Sequence, residues 1–317
     1  MIRALSVLLM TIAVLAGQTV ALAETSPDQK AVLITGASSG LGRVMAETMA
    51  ANGYFVYAGA RKDEDLEELS SIDNIQGVRL DVNKKDQIDA AVKTISEAGR
   101  GLYGLVNNAG VAVVQPLIEI EEEDFDFQMN VNVYGPYRVT RAFAPLIIES
   151  KGRISIIGSI SGTLSSATWG PYSMTKFAME AYADALADEM KSFGVHVSLI
   201  EPGAYRSSIG KSALERMAKK NQSPDDSQFK DAMDQSVNWL SRFENDQGDP
   251  TEVAAAAMKA LFDDDPKPRY LTVPTQEQAY WTINRAIERL VEQNHDHKYS
   301  YDREALIDML DAALAKQ

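Results

Sequence analysis

Tyr172 and Lys176 stand four residues apart in Tyr-Ser-Met-Thr-Lys, with Ser159 thirteen residues upstream, and together they offer an acid, its activator and a hydroxyl. Such a trio can pass a proton to or from a carbonyl oxygen. A phenol titrates near pH ~10 in water, so it is a poor acid or base near neutrality unless a cation stabilises the phenolate. Residues i and i+4 of a helix share one face, so the Lys176 ammonium would lie beside Tyr172 and draw its pKa toward a working value. Ser159 would then steady the substrate oxygen. The same pair also occurs in ordinary solvated helix turns, and the surroundings decide between the two readings.

Ala31-Val-Leu-Ile-Thr35 is a short apolar run with the look of a buried parallel strand. It leads into Gly36-Ala-Ser38-Ser39-Gly40-Leu41-Gly42 and a helical stretch from Leu41 to Asn52 that Gly53 closes. Strand, glycine turn and helix make a phosphate site. The glycines let the backbone turn and approach a pyrophosphate, and the helix aims its free N–H groups at the negative charge. Further apolar runs at Tyr54–Ala58, Val78–Leu80, Gly104–Val106, Ile154–Ile157, Val195–Ile200 and Tyr270–Val273 alternate with helical patterns. This predicts an α/β fold with a doubly wound, seven-stranded parallel sheet, in one domain over 30–275. A substrate lid is expected at about 205–249 and a helical extension over 276–317.

Thr35-Gly36-x-x-x-Gly40-x-Gly42, Asn107-Asn108-Ala109-Gly110, Ser159, Tyr172 and Lys176 resemble the short-chain dehydrogenase/reductase family, over about Lys30 to Val273. The resemblance implies a Rossmann-type fold and a catalytic tetrad completed by Asn132 in Met129-Asn-Val-Asn132, with Asn130 as the other candidate. It makes Tyr172 the general acid in reduction and the base in oxidation. Lys176 would also hold the nicotinamide ribose, Ser159 would orient the carbonyl, and Asn132 would hold a water in a proton relay. Asn108, Ala109 and Gly110 would border the cofactor, Asp81 in Leu80-Asp81-Val82 would cap the adenine, and Pro202-Gly203 would lie beside the nicotinamide. Ser207 takes the place of a frequent threonine there and keeps a hydroxyl for the carboxamide.

An NAD-preferring site wants a carboxylate at the end of the second strand to accept from the ribose 2′-hydroxyl. Ala60 stands at that point, followed by Arg61 and Lys62. Two cations suit a 2′-phosphate, and arginine offers it a planar fork of donors. The expected cofactor is NADP(H) in preference to NAD(H). A solvated basic loop balanced by Asp63, Glu64 and Asp65 is the plainer reading of the same residues.

The chain has 317 residues, 45% of them apolar, which is ample for one α/β core. A net charge of −14 argues against a nucleic-acid partner, which needs a basic face. No cysteine is present, and His196, His295 and His297 make no convincing ligand set, so no metal is expected. The acidic run Glu119 to Asp126 reads as a solvated helix start. Ala178, Tyr182, Leu186 and Met190 form an apolar stripe that fits core packing, and by resemblance that helix implies a homodimer or homotetramer.

Residues 1–23 join a short basic start at Arg3 to an apolar run from Ala4 to Ala16 and close on Ala21-Leu-Ala23. This reads as a secretory signal cut after Ala23, with 24–29 as a linker, so export to the periplasm or beyond is expected. A retained membrane anchor and a cytoplasmic enzyme are the alternatives. Leu164, Trp169, Tyr205, Met217, Phe229, Met233, Trp239 and Phe243 would suit a lipophilic alcohol or carbonyl substrate, of the kind retinol and hydroxysteroid dehydrogenases of the family take. Tyr280, Trp281, Ile283, Ile287 and Leu290 recur at helical spacing and are expected to cover the pocket or an oligomer face. The expected function is oxidation of an alcohol or reduction of its ketone or aldehyde. The alternative is a catalytically silent NADP(H)-binding sensor or scaffold; a sugar-nucleotide epimerase fits the glycine spacing less well.

Overall fold

The computed structural model describes residues 29–316. The signal read at residues 1–23 lies outside them. Seven strands form one parallel sheet in the order β3-β2-β1-β4-β5-β6-β7. They are β1 (Ala31–Ile34), β2 (Phe55–Ala60), β3 (Ile75–Arg79), β4 (Gly104–Asn107), β5 (Arg153–Ile157), β6 (His196–Pro202) and β7 (Arg269–Thr272). All seven expected strands are present. The largest displacement is at β3, an edge strand in which only Ile75 and Val78 are buried, so its apolar signal is weak. Strand β2 runs two residues further than expected and ends on Ala60.

The helices are α1 (Gly40–Ala51), α2 (Asp63–Ser70), α3 (Lys85–Glu97), α4 (Glu122–Met129), α5 (Gly135–Glu149), α6 (Gly170–Lys191), α7 (Ile209–Lys219), α8 (Lys230–Ser241), α9 (Thr251–Phe262), α10 (Gln276–Asn294) and α11 (Arg303–Leu314). Side chains alternate across each strand, so Leu33 packs beneath α3, α5 and α6 among Ile95, Phe143 and Met179. Val32 and Ile34 face the other way, onto Met45 and Met49 of α1 and Val253 and Leu261 of α9. Both faces of the sheet are therefore covered, as parallel sheets require. Leu186 and Met190 of the α6 stripe are buried in the first of these layers, and Ala178 and Tyr182 pack at its edge.

The strand order reverses between β1 and β4, and a crevice opens at the carboxyl ends of strands on either side of such a point. Helices α7 and α8 occupy the segment expected to be the lid, and α10 and α11 form the extension. Tyr280, Ile283 and Ile287 of α10 are all more than half exposed and do not cover the crevice; its buried residues are Gln278 and Thr282. Among the described residues, no helix is long and apolar enough to cross a membrane, and no cluster of side chains has metal-ligand character.

Candidate active site

The phosphate loop leaves β1 at Thr35 and turns through Gly36 at φ +66° and Gly40 at φ +54°, both left-handed conformations that favour glycine. Gly42 is glycine for space. A Cβ there would lie 2.3 Å from the Gly36 carbonyl oxygen and 2.5 Å from Asn108 Nδ2. Asn108 ties β4 to the loop, its Nδ2 donating to the Thr35 and Gly36 carbonyls at 2.9 and 3.1 Å. Thr35 Oγ1 accepts from the backbone N–H groups of Asn108 and Ala109, each at 3.0 Å. The two strands on either side of the reversal are thus locked together at the floor of the crevice.

The crevice is a cleft of about 530 Å³. Gly36, Ser38, Ser39, Gly40 and Leu41 line one end, and Arg61, Asp81 and Val82 line the side reached by β2 and β3. Asn108, Ala109 and Gly110 form the floor, and Pro202, Gly203 and Ser207 close the far wall beside Ser159, Tyr172 and Lys176. Of the residues expected to be catalytic or cofactor-binding, three stand off the cleft. Gly42 supports it from behind. Lys62 turns outward, with its ammonium 3.5 Å from Glu64, while its neighbour Arg61 lines the cleft. Asn132 lies behind the wall.

Asn132 sits in a π-helical turn, Asn130–Tyr134, between α4 and α5. Its Oδ1 accepts from the Val111 N–H at 2.9 Å, and its Nδ2 donates to the Val111 carbonyl at 2.9 Å and to Thr175 Oγ1 at 3.1 Å. Both amide protons are committed, so the side chain braces Val111 and the Tyr172 helix. Thr175 Oγ1 in turn donates to the Tyr172 carbonyl at 2.7 Å.

Tyr172 and Lys176 occupy the first two turns of α6, whose start is set by Pro171, and each is 8% exposed. Ser159 lies just past β5, where its Oγ accepts from the Ser161 N–H at 3.1 Å, and it lines the cleft together with Tyr172. Burial pushes the Tyr172 phenol up to about 12, and the neighbouring Ser159 hydroxyl pulls it partly back. The Lys176 ammonium donates to the Ile157 carbonyl at 2.9 Å and sits 5.6 Å from the centroid of the Tyr172 ring. The ammonium is thus directed to that carbonyl, and burial is the largest influence on both groups. Burial lowers Lys176 to about 8, with Glu180 opposing the fall.

Several polar residues escaped the sequence reading. Glu180, one turn beyond Lys176, is met by the Glu201 carboxyl from β6, and burial together with mutual repulsion pushes Glu201 up to about 7. Arg269 holds the other side, its Nε donating to Glu180 Oε2 at 3.2 Å and its Nη2 to Asp184 at 2.7 Å. The signal was a single carboxylate in the apolar run Val197-Ser-Leu-Ile-Glu201. Asp124 departs from the solvated acidic run expected of it. It is fully buried and receives Arg216, Lys220 and Gln222 from the lid. Of the apolar residues proposed for the substrate, Tyr205 and Phe243 line the cleft, and Trp169 packs edge-on against Tyr172 at 5.7 Å between centroids.

Residues 30–218 match the family described as short chain dehydrogenase, and the chain belongs to it. Over 186 residues it is 38% identical to the mitochondrial D-beta-hydroxybutyrate dehydrogenase of Bos taurus, a match covering 56% of this chain and 54% of that one. Over 184 residues it is 37% identical to retinol dehydrogenase 7 of Mus musculus, covering 57% and 58%. The matched stretches thus span little more than half the length of these relatives. The crystal structure of a short-chain dehydrogenase from Streptomyces avermitilis superposes with a TM-score of 0.69 at 29% identity, covering 84% of this chain and 96% of that one.

Proposed function

We propose that this chain is an NADP(H)-dependent oxidoreductase that interconverts a lipophilic alcohol and its ketone or aldehyde, with Tyr172 as general acid and base. The observation that carries this reading is the buried placement of Tyr172 and Lys176 beside Ser159 on the wall of a cleft whose other end is a glycine cradle for phosphates. A bound nicotinamide dinucleotide supplies or accepts the hydride. Everything else falls to the protein. Ser159 and Tyr172 would hold the carbonyl oxygen, and the phenol would release its proton as negative charge develops there. Burial keeps that phenol protonated at neutral pH, which suits reduction. The Lys176 ammonium would stabilise the phenolate left behind and so serve the reverse reaction.

Cofactor choice rests on Ala60 at the end of β2, where no carboxylate can meet a 2′-hydroxyl, and on Arg61 at the cleft. The substrate class rests on the apolar lining from Val111, Ala112, Ile209, Ala213 and Phe243. The names of the two relatives, which act on hydroxybutyrate and retinol, fit an alcohol-carbonyl pair. Export in a processed form and assembly as a homodimer or homotetramer belong to the same reading. Peptide mass analysis of the N-terminus from fractionated cells tests export, since a soluble cytoplasmic chain beginning at Met1 would sink it.

The central test incubates the purified chain and Tyr172→Phe with NADPH or NADH and a panel of apolar ketones and aldehydes. Turnover by the native chain and a loss of about 10²–10⁴-fold in the variant are expected. Equal turnover refutes the acid. Dinucleotide binding with no turnover across the panel favours the silent sensor.

A further inference from the structure

Gln278 lies in the first turn of α10, beyond the segment that matches the family, yet it is only 7% exposed. Its Oε1 accepts from the Ala204 N–H at 2.8 Å. A backbone N–H can only donate, so the oxygen of the amide must face it. The contact is close, since a Cβ on Gly203 would lie 2.2 Å from the same oxygen.

The segment that Gln278 grips is part of the cleft. Pro202, Gly203 and Tyr205 all line it. Neighbouring backbone groups of this strap are tied to other parts of the chain. Gly203 N–H donates to the Thr272 carbonyl at the end of β7 at 2.8 Å. The Ala204 carbonyl accepts from Gly248 N–H at 3.1 Å, and Arg206 N–H donates to the Gly248 carbonyl at 3.0 Å, so the strap also holds the point where the lid returns to the core. Gln278 is itself braced. Its N–H donates to the helix-capping Thr275 Oγ1 at 3.3 Å, and its carbonyl accepts from Thr282 Oγ1 at 2.8 Å.

We propose that Gln278 is a positioning residue for the dinucleotide site: its amide oxygen fixes the Pro202–Tyr205 strap against the cleft and, through Ala204 and Gly248, sets the root of the lid. The C-terminal extension is then part of the frame of the active site. This rests on the proposed oxidoreductase reading in one respect, that the strap borders a bound dinucleotide.

Two substitutions in the full-length chain separate the acceptor from mere packing. Gln278→Met keeps the length and apolar volume but has no strong acceptor. Gln278→Glu keeps an acceptor oxygen in either protonation state. Amide exchange at residues 203–206 reads the strap directly, and titration with NADPH reads the site. Gln278→Met is expected to speed exchange at Ala204 and to weaken NADPH binding, each by about tenfold, the usual scale for a lost hydrogen bond. The KM for the carbonyl substrate should rise more than kcat falls. Gln278→Glu should restore both to within about threefold. Unchanged exchange and binding in Gln278→Met overturns the proposal, as does equal impairment in the two variants, which would assign the effect to packing. A native chain with protected 203–206 amides that binds neither NADPH nor NADH sinks the functional reading and, with it, the positioning of a dinucleotide by Gln278.

Discussion

Asp124 on α4 and Arg216 on the lid helix α7 form an ion pair whose carboxylate is 1% exposed, with Arg216 Nε donating to Asp124 Oδ1 at 3.0 Å. Lys220 Nζ at 2.9 Å and Gln222 Nε2 at 3.0 Å complete the shell. Arg216 lines the cleft and stacks over Phe127 at 3.9 Å, so the pair joins lid to cleft wall. Burial alone would raise the Asp124 carboxyl, but the hydrogen bonds from Lys220, Arg216 and Gln222 outweigh it and hold the group below its ordinary 3.8.

A depressed acid contributes stability that is fully present above its ordinary value and is lost as pH falls through the folded one. The lid should therefore loosen only below about pH 4 in the native chain. Asp124→Asn should loosen it at pH 7. Because Arg216 and Lys220 are about a quarter exposed and can be rehydrated, a cost of about 1–3 kcal/mol is expected, at the lower end of buried-pair losses. Limited proteolysis between residues 205 and 249, followed with thermal unfolding, checks it. An unchanged cleavage rate in Asp124→Asn would rule out the latch.

Glu201 gives a pH dependence of opposite sign. Its carboxyl is raised from 4.5 to about 7 by burial and by Glu180, so folding takes up a proton between those two values. The native state binds more protons there than the unfolded chain, so this group's contribution falls as pH rises from 4.5 to 7 and stays low above it. Glu201→Gln removes the charge that burial opposes. It should stabilise the chain by upward of about 1 kcal/mol at pH 8, with the gain vanishing near pH 5. Melting curves of the two proteins from pH 5 to 8 measure the difference, and parallel curves would show that Glu201 is ionised throughout.

How much of this was legible in the sequence depended on separation along the chain. The glycine loop, Ser159 and the Tyr172–Lys176 pair are defined by local spacing, and each strand by a local apolar run, so their positions followed directly. Asp124 finds Arg216 92 residues away and Gln278 finds Ala204 at a separation of 74, and no local pattern marks such partners. Adjacent residues also diverge. Arg61 and Lys62 follow the end of β2, where successive side chains point to opposite sides, so one lines the cleft and the other leaves it. Asn132 was marked only by its resemblance, and its pairing with Val111, 21 residues away, has no local signal.

That divergence makes cofactor choice testable at two positions. Arg61→Ser should weaken NADPH about tenfold or more and leave NADH nearly unchanged, since only the 2′-phosphate would meet the guanidinium. Lys62→Ser should change neither appreciably. Ala60→Asp should disfavour NADPH by repulsion and give NADH an acceptor for its 2′-hydroxyl. Fluorescence titration with both dinucleotides reads all three. Equal affinities for NADPH and NADH in the native chain would remove the NADP(H) assignment while leaving the acid-base chemistry intact.

The pH profile of carbonyl reduction should report Lys176 before Tyr172. With the phenol at about 12, Tyr172 keeps its proton across the accessible range and sets no alkaline limit below that value. Lys176, lowered from 10.5 to about 8 by burial, loses its charge as pH rises through 8, and with it the stabilisation of the forming phenolate. The kcat/KM for reduction should therefore decline above about pH 8. Removing the opposing carboxylate should move that limit. Glu180 favours the charged lysine, so Glu180→Gln should shift the decline to lower pH, whereas Lys176→Met should abolish the limb along with most of the activity. A native profile flat to pH 10 would mean that Lys176 keeps its ammonium despite burial, held by the Ile157 carbonyl it already contacts at 2.9 Å.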